Sequence, residues 1–227
     1  MMTQMEQPEK PDQPDFMSLL IDGPPWEKKH ELGFFVAFIE TIKSLLIRPA
    51  VTFSVMRRQA GLGDALVYTV ALQVFTFLWA MAVGVLDPGS LFPPEFIEMF
   101  DLPPNISQVM IIAYPVSVIL LQFGSALALH FILRWRGLQS YDFSLVFRIV
   151  AYAVGTAAVL SLIPVLGGLI QIWLTIYLVY VGLRTIYAME AGSFLLTAIL
   201  GLFLFFGLFL AFTIGLSILL FMLSLFV

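Results

Sequence analysis

FLLTAILGLFLFFGLFLAFTIGLSILLFMLSLFV, residues 194–227, runs for 34 residues without one charged side chain. A helix crosses the hydrocarbon core of a bilayer with about 20 mostly apolar residues, so this stretch belongs in lipid. Four more stretches meet the same test. They are 65–86, uncharged between Asp64 and Asp87; 109–133, whose ionisable group is His130; 145–166, with Arg148 near its start and Pro164 near its end; and 169–189, with Arg184 in its last turns. Backbone groups in lipid have no water to bond, so these spans are helices. The strands of a membrane barrel alternate polar and apolar residues over about 10 positions, and these runs do not alternate. The expected fold is all-α: a polytopic, five-transmembrane-helix bundle. At about 1.5 Å per residue the last stretch reaches about 51 Å, against a core of about 30 Å. One tilted, protruding helix or two legs broken near Gly207 would fit, and the lack of an internal Pro, Asn or Asp favours one helix.

Composition agrees. Of 227 residues, 60% are apolar and 11% charged, against about 45–50% and about 25% in a soluble domain. That excludes an ordinary soluble enzyme, a disordered protein and a nucleic-acid binder. With no cysteine, a disulfide framework, a thiolate zinc site, an iron–sulfur cluster and a cysteine nucleophile are excluded as well. His30 and His130 are too few and too far apart for a metal cluster. There is no phosphate loop following a strand and no serine in a nucleophile elbow. Acidic residues are missing from mid-membrane positions, and five spans do not divide into the matched halves of many transporters. No catalytic residue, metal or cofactor is expected.

The 11 Lys and Arg orient the chain. Lys10, Lys28, Lys29, Lys43, Arg48, Arg57 and Arg58 precede the first span. Arg134 and Arg136 follow the second, Arg148 opens the third and Arg184 closes the fourth. With five spans, every one falls on a single side. The positive-inside rule makes that side cytoplasmic, with the N-terminus in and the C-terminus out. Asp87, Glu95, Glu98 and Asp101 lie outside, so 11 acids balance 11 bases inside and the formal charge of −4 is external.

Three regions result. Residues 1–25, with five prolines and five acids, read as a disordered cytoplasmic tail. Residues 26–60 hold an amphipathic helix, and 61–227 hold the spans. In 31–48, Phe35, Phe38, Ile39, Ile42, Leu45 and Leu46 recur at helical spacing, with Glu40, Lys43 and Ser44 on the other side. Pro49 is expected to end that helix. Two readings stand side by side: an interfacial helix with its apolar face in the inner leaflet, or a cytoplasmic collar under the bundle. The expected interfacial anchors are Trp26, Lys28, Lys29, Lys43, Arg48, Arg57 and Arg58.

Ionisable groups within spans default to functional hypotheses. Arg148 and Arg184 sit near cytoplasmic ends, where a long side chain can snorkel to water. They also share faces with aromatic residues. Trp173, Tyr177, Tyr180, Arg184 and Tyr187 form one stripe on the fourth span; Arg148, Tyr152 and Gly155 form another on the third. Arg148, Tyr152, Trp173, Tyr177, Tyr180, Arg184 and Tyr187 are thus candidates for a groove that binds a lipid headgroup or a partner helix, with ordinary bundle packing as the alternative. Gln73, Gln122 and Gln171 are expected to hydrogen-bond between helices, and Gly124 with Ala128 permits close helix approach.

The segments PPWE (24–27), FIETIKSLLIRPAVTFSVM (38–56) and GLGDALVY (61–68) are followed by HFILRWRGLQSYDFSLVFRIVAYA (130–153), IPVLGGLIQIW (163–173) and VGLRTIYAM (181–189). In this order they resemble the bacterial branch of the Yip family, the Ypt/Rab-interacting-protein domain, over about residues 24–225. The resemblance is most specific around Thr41, Leu46, Pro49 and Phe53, and at 148–152 followed by 163–168. Tyr187 stands where bacterial members often carry a histidine. The resemblance implies five spans, a cytoplasmic N-terminus and a short exposed C-terminus. Eukaryotic relatives are associated with GTPase recruitment, traffic and membrane shaping, but their acidic, tyrosine-containing N-terminal signature is not visible here, so no GTPase partner is inferred. The expected function is that of a non-enzymatic protein of a bacterial cytoplasmic membrane. It organises membrane or adapts other proteins through membrane lipids, partner helices or self-association. The alternative is a small lipid-handling protein, carrier or oligomeric channel using the aromatic and arginine groove.

Overall fold

The computed structural model describes residues 23–57, 60–83, 106–137, 142–163 and 166–224. All described elements are helical. A 3-10 turn, Pro25–Lys28, leads through the short α1 (Lys29–Leu32) into α2 (Phe34–Ile47) and α3 (Pro49–Ser54). The long helices are α4 (Gly63–Ala82), α5 (Ile106–Trp135), α6 (Phe143–Ala158, continued by a 3-10 turn at Val159–Leu162), α7 (Gly167–Tyr187) and α8 (Ala191–Ser224).

Four helices are long and apolar enough to cross a membrane: Gly63–Ala82, Ile111–Trp135, Phe143–Leu162 and Gly167–Tyr187. They fall on the first four expected stretches. Of the last expected stretch, residues 194–224 lie in α8, a single 34-residue helix with no break at Gly207, and 225–227 lie outside the described residues. Helix α2 ends at Ile47, just before Pro49, as expected, with Arg48 at φ −136° between α2 and α3. Pro49 occupies the first turn of α3, where its missing N–H would have no partner anyway. Residues 1–22, which contain most of the expected tail, lie outside the described residues, as does the acidic segment expected to be external.

The third span is the hub. Of its most apolar window, 72% is buried, against 17–33% for the other three. Helices α2, α4, α5 and α7 all pack on it, while α8 packs mainly on α5. Small residues set the closest crossings. A Cβ on Gly155 would lie 3.0 Å from the Thr69 Cα and 3.1 Å from the Tyr68 ring, so α4 and α6 touch through that glycine. The expected close approach at Gly124 is also present: its Cβ would meet the Phe205 ring of α8 at 3.2 Å.

The polar residues of the spans pair only in part. Tyr114 donates to the Gln73 side chain at 3.4 Å and stacks on Phe77 at 4.0 Å, joining α4 to α5. The Gln122 amide nitrogen is buried with no hydrogen-bond partner among the described residues. Tyr68 and Thr156 share a hydroxyl–hydroxyl bond of 2.8 Å across α4 and α6.

Candidate functional site

The polar centre of the molecule is built by the segment that precedes the spans. Gly23, at φ +121°, turns the chain into the 3-10 turn, and a Cβ there would lie 2.8 Å from the Glu27 carboxylate. Only glycine fits that position without moving the carboxylate. Trp26 follows, fully buried. Its backbone N–H donates to Thr41 Oγ1 at 2.7 Å, and its indole N–H donates to the Asp64 carbonyl at 2.7 Å. Its ring meets Phe34 and Phe38 edge-on at 5.0 and 5.6 Å and lies 5.9 Å from Tyr68. Lys29 forms an ion pair with Asp64 at the start of α4. The segment is thereby bonded to α2 and to the first span at once.

Glu27 reaches further, to the third span. Its Oε1 accepts from Arg148 Nε at 3.1 Å, from Arg148 Nη2, and from the Tyr152 hydroxyl at 3.0 Å. Arg148 Nη1 donates to the Arg57 carbonyl, which adds the chain beyond α3 to the cluster. The Arg148 side chain is 1% exposed and that of Glu27 9%. Arg148 therefore does not snorkel to water. The carboxylate of Glu27 supplies its counter-charge locally and a backbone carbonyl accepts from its third nitrogen, and such pairing is what makes a buried guanidinium tolerable. Chemically this is a clasp: the guanidinium, the carboxylate and the Tyr152 hydroxyl bond to one another.

The seven candidate groove residues are not brought together. Arg148 and Tyr152 face Glu27. On α7, Trp173 and Tyr177 are 73% and 51% exposed. Arg184 is exposed, donates to the Tyr180 hydroxyl at 3.3 Å, and lies 6.0 Å from that ring. Tyr187 is half-buried against the core. A pocket of about 490 Å³ does adjoin Tyr180 and Arg184, but its far side is the turn Ala188–Ala191 rather than the third span. A second, apolar pocket of about 350 Å³ lies between α7 and α8, floored by α5 and α6.

The expected interfacial anchors divide similarly. Trp26 is a buried core residue, because its indole and backbone N–H both find acceptors inside. Lys29 is spent on Asp64, and Lys43 pairs with Glu40 at 2.6 Å on the exposed side of α2. Lys28 is half-buried, Arg48 and Arg57 are exposed, and Arg58 lies outside the described residues. On α2, Ala37, Thr41, Ser44 and Leu45 pack inward, whereas Phe35, Ile39, Leu46 and Ile47 remain exposed, Phe35 by 77%. The inward face is the small and hydroxylated one. Ser44, expected on the outer side, is buried because its hydroxyl bonds back to the Thr41 carbonyl at 2.9 Å.

Sequence reasoning did not single out Glu27, Asp64 or Arg136. Arg136 donates to the Ser193 carbonyl at 2.7 Å, to the Ser193 hydroxyl at 2.8 Å and to Thr197 at 2.5 Å, which ties the end of α5 to the start of α8. The signal for Glu27 was the adjacent Pro24-Pro25-Trp26, a rigid lead-in that presents the next side chain in a defined direction.

An apolar helical bundle with a buried ionic clasp defines the class: an all-helical, multi-pass membrane protein. No family model, no curated protein and no solved structure matches the chain.

Proposed function

We propose that the chain is a five-span, non-enzymatic protein of the Yip type. It sits in a bacterial cytoplasmic membrane with the N-terminus in the cytoplasm and the C-terminus outside, and it organises membrane or adapts partner proteins. Helix α8 serves as the fifth span. Its 34 residues cover about 51 Å, ample for a core of about 30 Å. The sidedness rests on the 11 basic residues falling on one face once α8 is counted as a span.

The observation that carries the organising role is α2. A helix that packs by its small face and leaves Phe35, Ile39, Leu46 and Ile47 outward has the amphipathic form of a helix lying in a membrane interface. The clasp at Glu27 and Arg148 holds that helix against the spans, so the bundle and its interfacial helix act on the inner leaflet as one unit. The test is extraction of the full chain from native membranes in polymer-bounded lipid discs, for wild type and Phe35→Glu/Ile39→Glu. Wild-type discs are expected to be enriched in anionic lipid over the bulk membrane, and the variant discs are not. Identical lipid composition in both refutes the role.

A second reading, lipid handling, is favoured by the pocket beside Tyr180 and Arg184. It shifts the candidate groove from between the third and fourth spans to between α7 and α8.

A further inference from the structure

The two pockets flank one helix pair in an order that matters. The polar one takes Tyr180 and Arg184 from the end of α7, and Glu190 and Ala191 from the turn into α8. Arg184 and Glu190 are both exposed, and Arg184 bonds to Tyr180 rather than to that carboxylate. The pocket therefore offers a cation and an anion on separate walls. The apolar one begins one turn deeper. Ile176 and Val179 of α7 face Ala198, Leu202 and Phe205 of α8, with Val154 of α6 behind them. Tyr180, which lines the first pocket, and Phe194, which lines the second, are in ring contact at 4.9 Å, so the two pockets adjoin along the helix pair.

From Ala191 to Phe205 is 14 residues, about 21 Å along a helix. One leaflet of the hydrocarbon core is about 15 Å deep. The groove is long enough for an acyl chain that starts at the polar pocket and runs toward the bilayer centre.

We propose that this is a phospholipid site for a zwitterionic head bearing a phosphate and a primary ammonium. The phosphate accepts from Arg184, the ammonium donates to Glu190, and one acyl chain lies along α7 and α8. An anionic head without the ammonium places its phosphate on Arg184 equally well but brings no partner for Glu190, whose carboxylate then repels it. The assignment rests on the lipid-handling reading for its setting and adds to it the head class and the place.

The experiment is native mass spectrometry of the full chain, delipidated and then supplied with one equivalent of phosphatidylethanolamine or phosphatidylglycerol of the same acyl composition, so that the groove is read apart from the many weaker anionic-lipid contacts expected along α2. Wild type is expected to retain phosphatidylethanolamine about fivefold more tightly, equivalent to ~1 kcal/mol at ~1.4 kcal/mol per tenfold. Glu190→Gln, an exposed and nearly isosteric change, abolishes that preference. Arg184→Ala weakens both lipids, and Ala198→Trp, which fills the groove, weakens both with the charged groups intact. Equal retention of the two lipids by wild type, or a preference that survives Glu190→Gln, overturns the head assignment while leaving lipid handling in place. Retention of neither lipid by wild type overturns both.

Discussion

Replacing Glu27 with glutamine removes one charge and keeps the shape, which makes it a sharp probe of the clasp. In the wild type three donors converge on one carboxylate oxygen, from Arg148 Nε, Arg148 Nη2 and the Tyr152 hydroxyl. After the change the glutamine amide oxygen still accepts, as does the Arg57 carbonyl, but the guanidinium has lost its counter-charge. With the two side chains 1% and 9% exposed, solvent screens little of the loss. At about 4 Å between charge centres and an effective dielectric of about 20, the forfeited attraction is about 4 kcal/mol. Stranding one partner of a buried pair costs about 3–5 kcal/mol in proteins where it has been measured, which agrees. Replacing both members with Glu27→Gln/Arg148→Met should recover most of that, because no buried charge is left. The assay is equilibrium unfolding of the full chain in mild detergent across the four-member cycle. Hydrogen exchange at residues 24–32 serves as a local readout. Glu27→Gln within ~0.5 kcal/mol of wild type, or a double variant as unstable as the two single losses added, would refute a buried clasp.

Three further outcomes follow from particular contacts. Gly155→Leu inserts a side chain where a Cβ alone already meets the Thr69 Cα at 3.0 Å. It should destabilise the bundle by at least about 1–3 kcal/mol in the same unfolding assay. Tyr68→Phe leaves the Thr156 hydroxyl without its 2.8 Å partner. Its cost should be near 0.6 kcal/mol and below about 1.7 kcal/mol, the range of inter-helix side-chain bonds in membranes. Ala188 is the described non-glycine residue with positive φ, +51°. Ala188→Gly should raise stability by about 1 kcal/mol, read as a higher melting temperature, since left-handed backbone costs a residue with a Cβ about that much.

The spans were legible because burying helices in lipid requires long apolar runs, and those are local. The expected limits 109–133 fall inside α5, Ile106–Trp135. The end of the fourth span was misplaced by two residues, at 189 rather than Tyr187, because an alanine at left-handed φ carries no sequence mark. The clasp was illegible for a different reason. Glu27 and Arg148 are 121 positions apart, and periodicity reports only which residues share a face of one element. Arg148 was visible as a costly charge in an apolar run. Its partner was not, because an acidic residue in a polar segment looks solvated until the segment is folded back. The same applies to Trp26, which resembles an interfacial anchor by position and is a core residue by contact. The stripe on α7 followed from helical spacing alone, but facing it with the third span required knowing which neighbour lay opposite.

The placement of α2 tests the account most directly. The chain has no cysteine, so single-cysteine spin labels report one site each. Labels at Phe35, Ile39 and Leu46, with the exposed Glu31 of α1 as the aqueous reference, are read in vesicles for collision with oxygen, which concentrates in lipid, and with a water-soluble nickel chelate. Positions 35, 39 and 46 are expected to be oxygen-accessible and shielded from nickel, at a depth of about 5–10 Å below the headgroups, and position 31 to show the reverse. Nickel accessibility at position 35 equal to that at position 31 would contradict the interfacial placement.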